Sequence, residues 1–348
     1  MPIILGIESS CDESAAAIIK TEKTKKFKVL SNIVSSQIDI HKQYGGVVPE
    51  IAAREHVLHI LPVIDQSLRQ AKIKPKEISA IAVTAGPGLI TSLISATETA
   101  KALSYVWKKP IIPINHIEGH IYSAFIENKK ELKKPILILT VSGGHNILAI
   151  MKKHSEYSII GQTLDDAAGE AFDKAAKMMN LGYPGGPIIS RLAKEYETKN
   201  NKPEEIILPR PMLNSPNFNF SFSGLKTALL YKLKKDKQWK EKIPQYCFSF
   251  QKAVIDVLAT KTLKVAKKYN ISTLMLVGGV SANKELKNEF KKRIKKESLS
   301  INFIFPPLKY TGDNAAMIAM AGAYNFLNNK KKLKTYKNIK VNANLEFK

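Results

Sequence analysis

The sequence predicts a two-lobed α/β fold in which the second lobe repeats the opening of the first. Three observations carry this. Apolar β runs alternate with helical patterns along the chain, 348 residues exceed what one core ordinarily fills, and residues 139–151 restart the pattern of residues 5–19. LGIESSCDESAAAII and LTVSGGHNILAIM each read as strand, small polar turn and returning strand, with few identities between them. A cleft between two lobes is expected.

The first lobe opens with apolar runs at 2–8 and 14–20, joined by Glu8-Ser9-Ser10-Cys11-Asp12-Glu13, and adds a third run at 29–34. Pro49 suits a first helical turn and starts a pattern through Ile51, Val57, Ile60, Leu61 and Ile64, which Pro62 is expected to kink. A strand over 78–84, the turn Gly86-Pro87-Gly88, a helix over 89–107 and a strand over 110–114 follow. That strand runs straight into a helix bearing His116 and His120. The second lobe starts after Lys133-Lys134 with strands at 136–141, 146–151 and 157–162. A helix over 165–180, the turn Tyr183-Pro184-Gly185-Gly186-Pro187 and helices near 187–199, 223–234 and 244–270 come next. A strand at 274–277 ends at Gly278-Gly279, which leads into a helix; a strand at 302–305 and a helix from Asp313 to about Leu327 close the pattern. The expected division is 1–133 for the first lobe, with a C-terminal helix of about 311–330 returning to it, and 134–310 for the second. Residues 331–348 are expected to be a loosely ordered Lys-rich tail.

The formal charge is +24, the usual footprint of a polyanion partner such as tRNA. Only Arg54, Arg69, Arg191, Arg210 and Arg293 are arginines, while Lys, Asn and Ile abound together, as AT-rich codons would produce. The charge is therefore divided between nucleic-acid binding and codon drift. Lys129-Lys130, Lys133-Lys134, Lys291-Lys292 and Lys330-Lys331-Lys332 read as solvated loops and helix ends. Two cysteines, Cys11 and Cys247, give neither a disulfide framework nor a zinc-finger spacing, which suits a reducing compartment. Met1 leads directly into a strand without a signal-peptide pattern, and no 18-residue apolar run follows. A cytoplasmic protein without a membrane segment is expected.

Three small turns at strand ends, Ser9-Ser10, Ser142-Gly143-Gly144 and Gly278-Gly279, are expected to present backbone N–H groups to a phosphate or carboxylate. Each alone is better explained by tight geometry, and the three together bring the two readings level. Together their array matches the two phosphate turns and the adenosine turn of the actin, sugar kinase and Hsp70 (ASKHA) architecture. No Walker-type or Gly-x-Gly-x-x-Gly pattern occurs. In His116-Ile117-Glu118-Gly119-His120, two imidazoles four apart share a helix face and can reach one ion, or can simply cap the turn before them. Asp313 is the candidate third ligand, its alternative role being a helix N-cap. Two His and one Asp suit Zn²⁺ or Fe²⁺. In DDAAGEAFDK (165–174) the first two acids are read as complementing the helix dipole, while Glu170 and Asp173 either share a face directed at substrate hydroxyls or are solvated. Phe218, Phe220 and Phe222 alternate, favouring core packing over RNA stacking.

With these pieces in order, the chain resembles the TsaD family of tRNA threonylcarbamoyladenosine-synthesising transferases over residues 3 to 327. The resemblance runs through GIESSCDES (6–14), YGGVVPE (44–50), TAGPGL (84–89), HIEGH (116–120), VSGGH (141–145), DDAAGEAFDK (165–174), YPGGP (183–187), PRPM (209–212), FSFSGLKT (220–227), GGVSAN (278–283) and DNAAM (313–317). It implies transfer of threonylcarbamoyl from threonylcarbamoyl-AMP to N6 of adenosine 37 in tRNAs reading codons that begin with A. It implies His116, His120 and Asp313 as ligands of one divalent ion, Fe²⁺ or Zn²⁺, and Thr140, Val141, Ser142, Gly143, Gly144, Asp173, Gly186 and Asn283 as substrate-binding positions. The implied partners are tRNA, an inactive TsaB-like paralogue and a small TsaE-like P-loop ATPase, and helix 49–72 is a candidate docking surface. Asp12 or Glu13 is a candidate for assisting proton removal from the adenosine amine.

Two departures bear on the site. Lys309-Tyr310-Thr311-Gly312 stands before Asp313, where bacterial relatives commonly show Cys-Thr directly before the acid, so a ligand loop one residue longer is expected. Position 190 is Ser, where some relatives carry an acid, so one substrate contact is expected to be missing or replaced. A metalloendopeptidase reading fits poorly, because neither His-Glu-x-x-His nor His-x-x-Glu-His is present. A small-molecule kinase is opposed by the histidine pair, and a non-catalytic scaffold by retention of HIEGH with Asp313.

Overall fold

A computed structural model describes residues 1–22, 26–128, 132–328 and 333–347, so the Lys129-Lys130 and Lys330-Lys331-Lys332 clusters lie outside the described residues. The chain forms two compact units, one of residues 1–131 and 306–348 and the other of residues 132–305.

The first unit is built on β1 (Ile3–Glu8), β2 (Glu13–Thr21) and β3 (Phe27–Ser36), followed by α1 (Ile38–His41), α2 (Pro49–Ala71), β4 (Ala80–Gly86), α3 (Ile90–Trp107), β5 (Ile111–Asn115) and α4 (His116–Ser123). Its sheet has the order β3-β2-β1-β4-β5, with antiparallel pairs on the β2 side and parallel pairs on the β4 side. The central strands are apolar at nearly every position because both faces are covered. Ile3, Leu5 and Ile7 pack with Ile60, Val63 and Ile64 of α2 and Ala96 and Ala100 of α3. Ile4, Ala15, Ala17 and Ile114 face the closing helix of the chain.

The second unit repeats this topology. β6 (Ile136–Val141), β7 (Asn146–Lys153) and β8 (Glu156–Gln162) precede α5 (Ala168–Met178), α6 (Gly185–Lys199), α7 (Ser223–Lys235), α8 (Ile243–Lys268), β9 (Thr273–Val277), α9 (Lys284–Lys296) and β10 (Asn302–Ile304). The order β10-β9-β6-β7-β8, antiparallel on the β7 side and parallel on the β9 side, is that of the first sheet. The duplication inferred from 5–19 and 139–151 is therefore a duplication of strand order. The core joins Leu137, Leu139 and Val141 to Phe172, Phe250 and Val254. Phe220 and Phe222 are buried in it and Phe218 packs against it, so the alternating aromatics pack a core rather than stack on RNA.

α10 (Ala315–Asn328) packs in the first unit, against β1, β2, β4 and α4. Its contact face is made of Ala315, Ala316, Ala319, Ala323 and Gly322, side chains small enough to let a helix lie close to a sheet.

Two expectations need correction. Helix α2 continues through Pro62 to Ala71, and its buried face is Ala52, His56, Ile60, Val63, Ile64 and Ser67. Val57 and Leu61, placed by sequence in the apolar stripe, are 67% and 56% exposed; each follows a buried residue and is turned about 100° from it. His56 faces inward, where its ring meets the Ser14 hydroxyl (2.7 Å) and the Cys11 carbonyl (2.9 Å), tying α2 to the turn after β1.

The end of the chain is not a loose tail. Lys334 pairs with Ile111, the Asn342 amide donates to Ala85, and the Gly88 amide donates to Ala343. Ile339 and Phe347 are buried. Two apolar anchors among many lysines suffice to dock a segment whose backbone also finds partners. Replacing Ile339 by Ala is therefore expected to destabilise the protein by about 2–5 kcal/mol, measured by denaturant unfolding; a loosely ordered tail would lose under about 0.5 kcal/mol.

Candidate metal centre and substrate cavity

The His116 and His120 rings stand on α4, which begins directly after β5. Asn115 caps this helix, accepting a hydrogen bond from the Ile117 amide (2.9 Å) while its side-chain amide donates to the Glu346 carbonyl (3.2 Å). Capping thus falls to Asn115, and the histidines are released from the alternative role the sequence left open for them. Asp313 is likewise no cap: Asn314 accepts from the Met317 amide (3.1 Å) and starts α10. The loop before Asp313 delivers its carboxylate to the histidines.

A close approach of α4 and α10 brings the three together. Gly119, between the histidines, lies against Ile318, and any Cβ there would stand 2.6 Å from the Ile318 Cδ1. Asp313 Oδ1 lies 3.2 Å from His120 Nε2 and 3.6 Å from His116 Nε2. One ligand atom from each of the three residues falls within 4.8 Å of the others. Ligands about 2.1 Å from one tetrahedral ion are themselves about 3.4 Å apart, so the spacing suits a single cation. Both ring nitrogens of His120 are buried without a hydrogen-bond partner. Such atoms are costly to bury unless something is bound there, and a divalent ion suits two imidazoles and a carboxylate.

The electrostatics agree. Burial alone would lower the His116 pKa, but the Asp313 and Glu8 carboxylates outweigh it and raise it to about 9. Burial, reinforced by Asp12, Asp313 and Glu8, pushes the Glu13 carboxyl well above the ordinary range. This is a surplus of buried negative charge that a cation relieves.

The Ser9-Ser10 turn differs from its expected role. Both serines are buried, and the Ser10 amide donates to Glu8 (2.6 Å) rather than facing a ligand. Glu8 had no role assigned from sequence; only its place in GIESSCDES signalled it.

In the second unit, Gly143, Asp173, Gly186, Ser190, Gly279 and Asn283 line a cavity of about 910 Å³. Its walls include the first turns of α6 and α9, whose N-terminal dipoles favour an anion. The Asp173 carboxylate accepts from the Gly185 amide (2.7 Å) at the start of α6. Asn283 caps α9 by accepting from Leu286 (3.0 Å), and its side-chain amide donates to Gln251 (2.8 Å). Gly169 lets α5 approach the turn after β6, where a Cβ would stand 2.7 Å from the Ser142 carbonyl oxygen; the Gly169 and Glu170 amides donate to Ser142 and Gly143. Of the substrate positions implied by resemblance, Gly143, Asp173, Gly186 and Asn283 share this cavity. Gly144 is exposed beside it, whereas Thr140, Val141 and Ser142 are buried and support the turn.

The acidic run 165–174 divides differently from its sequence reading. Asp165 and Asp166 precede α5; Asp165 serves the segment entering α7, and Asp166 bridges α5 to α7. Asp165 accepts from the Phe222 amide (2.8 Å) and the Ser221 hydroxyl (2.5 Å), and Asp166 pairs with Lys174 and Lys226, each at 2.8 Å. Glu170 pairs with Lys174 (2.7 Å) and does not line the cavity.

A sequence profile of the TsaD family, described as tRNA N6-adenosine threonylcarbamoyltransferase, matches residues 28–320. The chain belongs to this family. Relatives of that name include one from Persephonella marina, 47% identical over 93% of this chain and 90% of the relative, and one from Thermosipho melanesiensis, 49% identical over 92% and 94%. Membership makes the chain a transferase. Among solved structures, HypF from T. kodakarensis superposes with a TM-score of 0.62 at 12% identity, over 95% of this chain and 49% of that one. The activator of 2-hydroxyisocaproyl-CoA dehydratase from Clostridium difficile gives 0.53 at 11% identity, over 95% and 98%. These likenesses concern the fold, which is of the ASKHA type. Among the described residues, no helix is long and apolar enough to cross a membrane.

Two outcomes follow. Asn314→Ala should cost about 1 kcal/mol of stability through loss of the cap and leave divalent-metal content unchanged, whereas Asp313→Ala should lose the metal, measured by elemental analysis. Because the His116 pKa is raised, its stabilising contribution to the metal-free protein is complete below the unfolded value near 6.5 and is lost as pH rises through about 9. A metal taking His116 as a ligand should therefore displace about one proton at pH 7, falling through about half a proton near pH 9, read by titration calorimetry in buffers of different ionisation enthalpy.

Proposed function

We propose that this protein transfers the threonylcarbamoyl group of threonylcarbamoyl-AMP to N6 of adenosine 37 in tRNAs reading codons that begin with A. The observation that carries this reading is the convergence of His116, His120 and Asp313, with both His120 nitrogens buried and unpartnered, in a chain of the TsaD family. Those three residues would hold one Fe²⁺ or Zn²⁺, which when bound supplies Lewis-acid stabilisation to oxygens of the substrate.

In the transfer, the adenosine N6 attacks the carbamoyl carbon. The bond from that carbon to the phosphate oxygen breaks, AMP leaves with the electron pair, and N6 loses a proton. Asp12 or Glu13 is the proposed acceptor. Both stand at the turn between β1 and β2, where Asp12 is buried and Glu13 half-buried. The adenosine portion of the donor is assigned to the cavity in the second unit, with Asp173, Gly186 and Asn283 around it. Helix dipoles at its wall favour the phosphate. The Ser142 amide is engaged by the His145 carbonyl (2.8 Å), which leaves the Gly143 and Gly144 amides as the proposed charge-stabilising pair. Ser190 offers a hydroxyl in place of an acid, a weaker partner for the ribose.

The exposed face of α2, with Val57, Leu58 and Leu61 between 56% and 67% exposed, is the proposed seat of an inactive TsaB-like paralogue; a TsaE-like ATPase completes the assembly. The basic surface is assigned in part to tRNA.

Reconstitution with tRNA, threonine, bicarbonate, ATP and these partners should yield threonylcarbamoyladenosine, and His120→Ala should abolish it. Supplied with preformed threonylcarbamoyl-AMP, Asp12→Asn or Glu13→Gln should slow transfer by about 10²–10⁴-fold. Full activity in both variants would remove the two acids from the mechanism, and absence of modified adenosine with wild type would sink the reading itself.

A further inference from the structure

Glu8 ends β1 with a side chain that no solvent reaches. A buried carboxylate persists only where donors surround it. Here Oε1 accepts from the Ser10 amide (2.6 Å) and Oε2 accepts from the Thr84 hydroxyl of the neighbouring strand β4. Oε2 also lies 3.5 Å from His116 Nδ1, the ring nitrogen turned away from Asp313. The Ser10 hydroxyl stands 3.0 Å from the same nitrogen.

An imidazole that offers the Nε2 lone pair to a cation must carry its proton on Nδ1 and needs an acceptor there. A serine hydroxyl donates or accepts equally well and so leaves the tautomer open. An ionised carboxylate only accepts, and Glu8 stands among the donors of Ser10 and Thr84 with its Oε2 toward the His116 Nδ1. His120 has no counterpart, for its Nδ1 is buried without a partner. The two histidines, alike in sequence, are therefore unequal: one is oriented from behind and the other has no hydrogen-bond partner on its Nδ1.

We infer that Glu8 is a positioning residue that fixes the Nδ1-protonated tautomer and the ring orientation of His116, making it the anchored ligand of the pair. The inference rests on the metal reading above and deepens it. Thr84 and the Ser10 amide set the carboxylate, the carboxylate sets His116, and His116 presents Nε2 beside Asp313. No role in contacting substrate is assigned to Glu8.

The test uses Co²⁺ added to the metal-stripped full-length protein, with affinity read by chelator competition and geometry by the visible absorption of the bound ion. Glu8→Gln keeps the size of the side chain and removes its acceptor-only character. It should bind Co²⁺ about 10–100-fold more weakly with an altered spectrum, while the metal-free protein melts within a few degrees of wild type. Ser10→Ala, which keeps the amide donor to Glu8, should change affinity by less than about 3-fold if the carboxylate sets the tautomer. Wild-type affinity and spectrum in a folded Glu8→Gln protein would overturn the inference and leave the metal reading standing. A large loss in Ser10→Ala would overturn it as well, by giving the role to the hydroxyl, and this outcome is readable even if Glu8→Gln fails to fold. Should wild type bind no Co²⁺ that His120→Ala abolishes, the metal reading and the inference fall together.

Discussion

Helices α4 and α10 have to touch before a cation site exists, and most of the first unit is arranged so that they can. One carries both histidines and the other begins two residues after Asp313. Neither helix makes the site alone. Gly119 removes the side chain that would hold the helices apart, and the alanine-rich face of α10 lets the pair settle against β1 and β4. The caps complete the arrangement. Asn115 and Asn314 satisfy the first turns, so the ligands beside them are not drawn into capping. The C-terminal segment then braces the start of α4 through Asn115.

The same region gathers more negative charge than an interior tolerates by itself. Asp12, Asp313 and Glu8 add to burial in raising the Glu13 carboxyl, and a protonated His116 is the one nearby positive group that the shifts reveal. The metal-free site is thus balanced by protons, and a cation exchanges them for itself. The crowding of negative charge is what gives a divalent ion something to relieve.

The second unit solves a different problem with the same strand order. Its turn after β6 is held by carbonyl contacts to the first amides of α5, which sets the helix that carries Asp173. Two further helices start at the cavity wall, so their termini add polarity beside charged lining residues such as Arg191, Glu197 and Lys252. Asn283 illustrates the economy of the arrangement. One side chain caps α9 and holds Gln251, and the residue still lines the cavity.

The sequence by itself determined the alternation of elements, the repeated opening, and a histidine pair on one helix face, because period-2 and period-3.6 patterns and the four-residue histidine spacing are local properties. It also determined the family, through blocks of short-range identity. Only tertiary structure decided which acid does what. Asp165 lies next to α5 in sequence yet holds the start of α7, and Asp166 joins Lys174 of α5 to Lys226 of α7; hydrogen-bond partners 56 to 60 residues away leave no mark on local pattern. The outward turn of Val57 and Leu61 was equally hidden, because apolar residues on two adjacent helix faces look alike until a sheet chooses one of them. The docking of Ile339 and Phe347 was masked by the lysines around them. Glu8 reads as one more strand-end acid in GIESSCDES; its place behind His116 exists because β1 and α4, distant in the chain, meet in the fold.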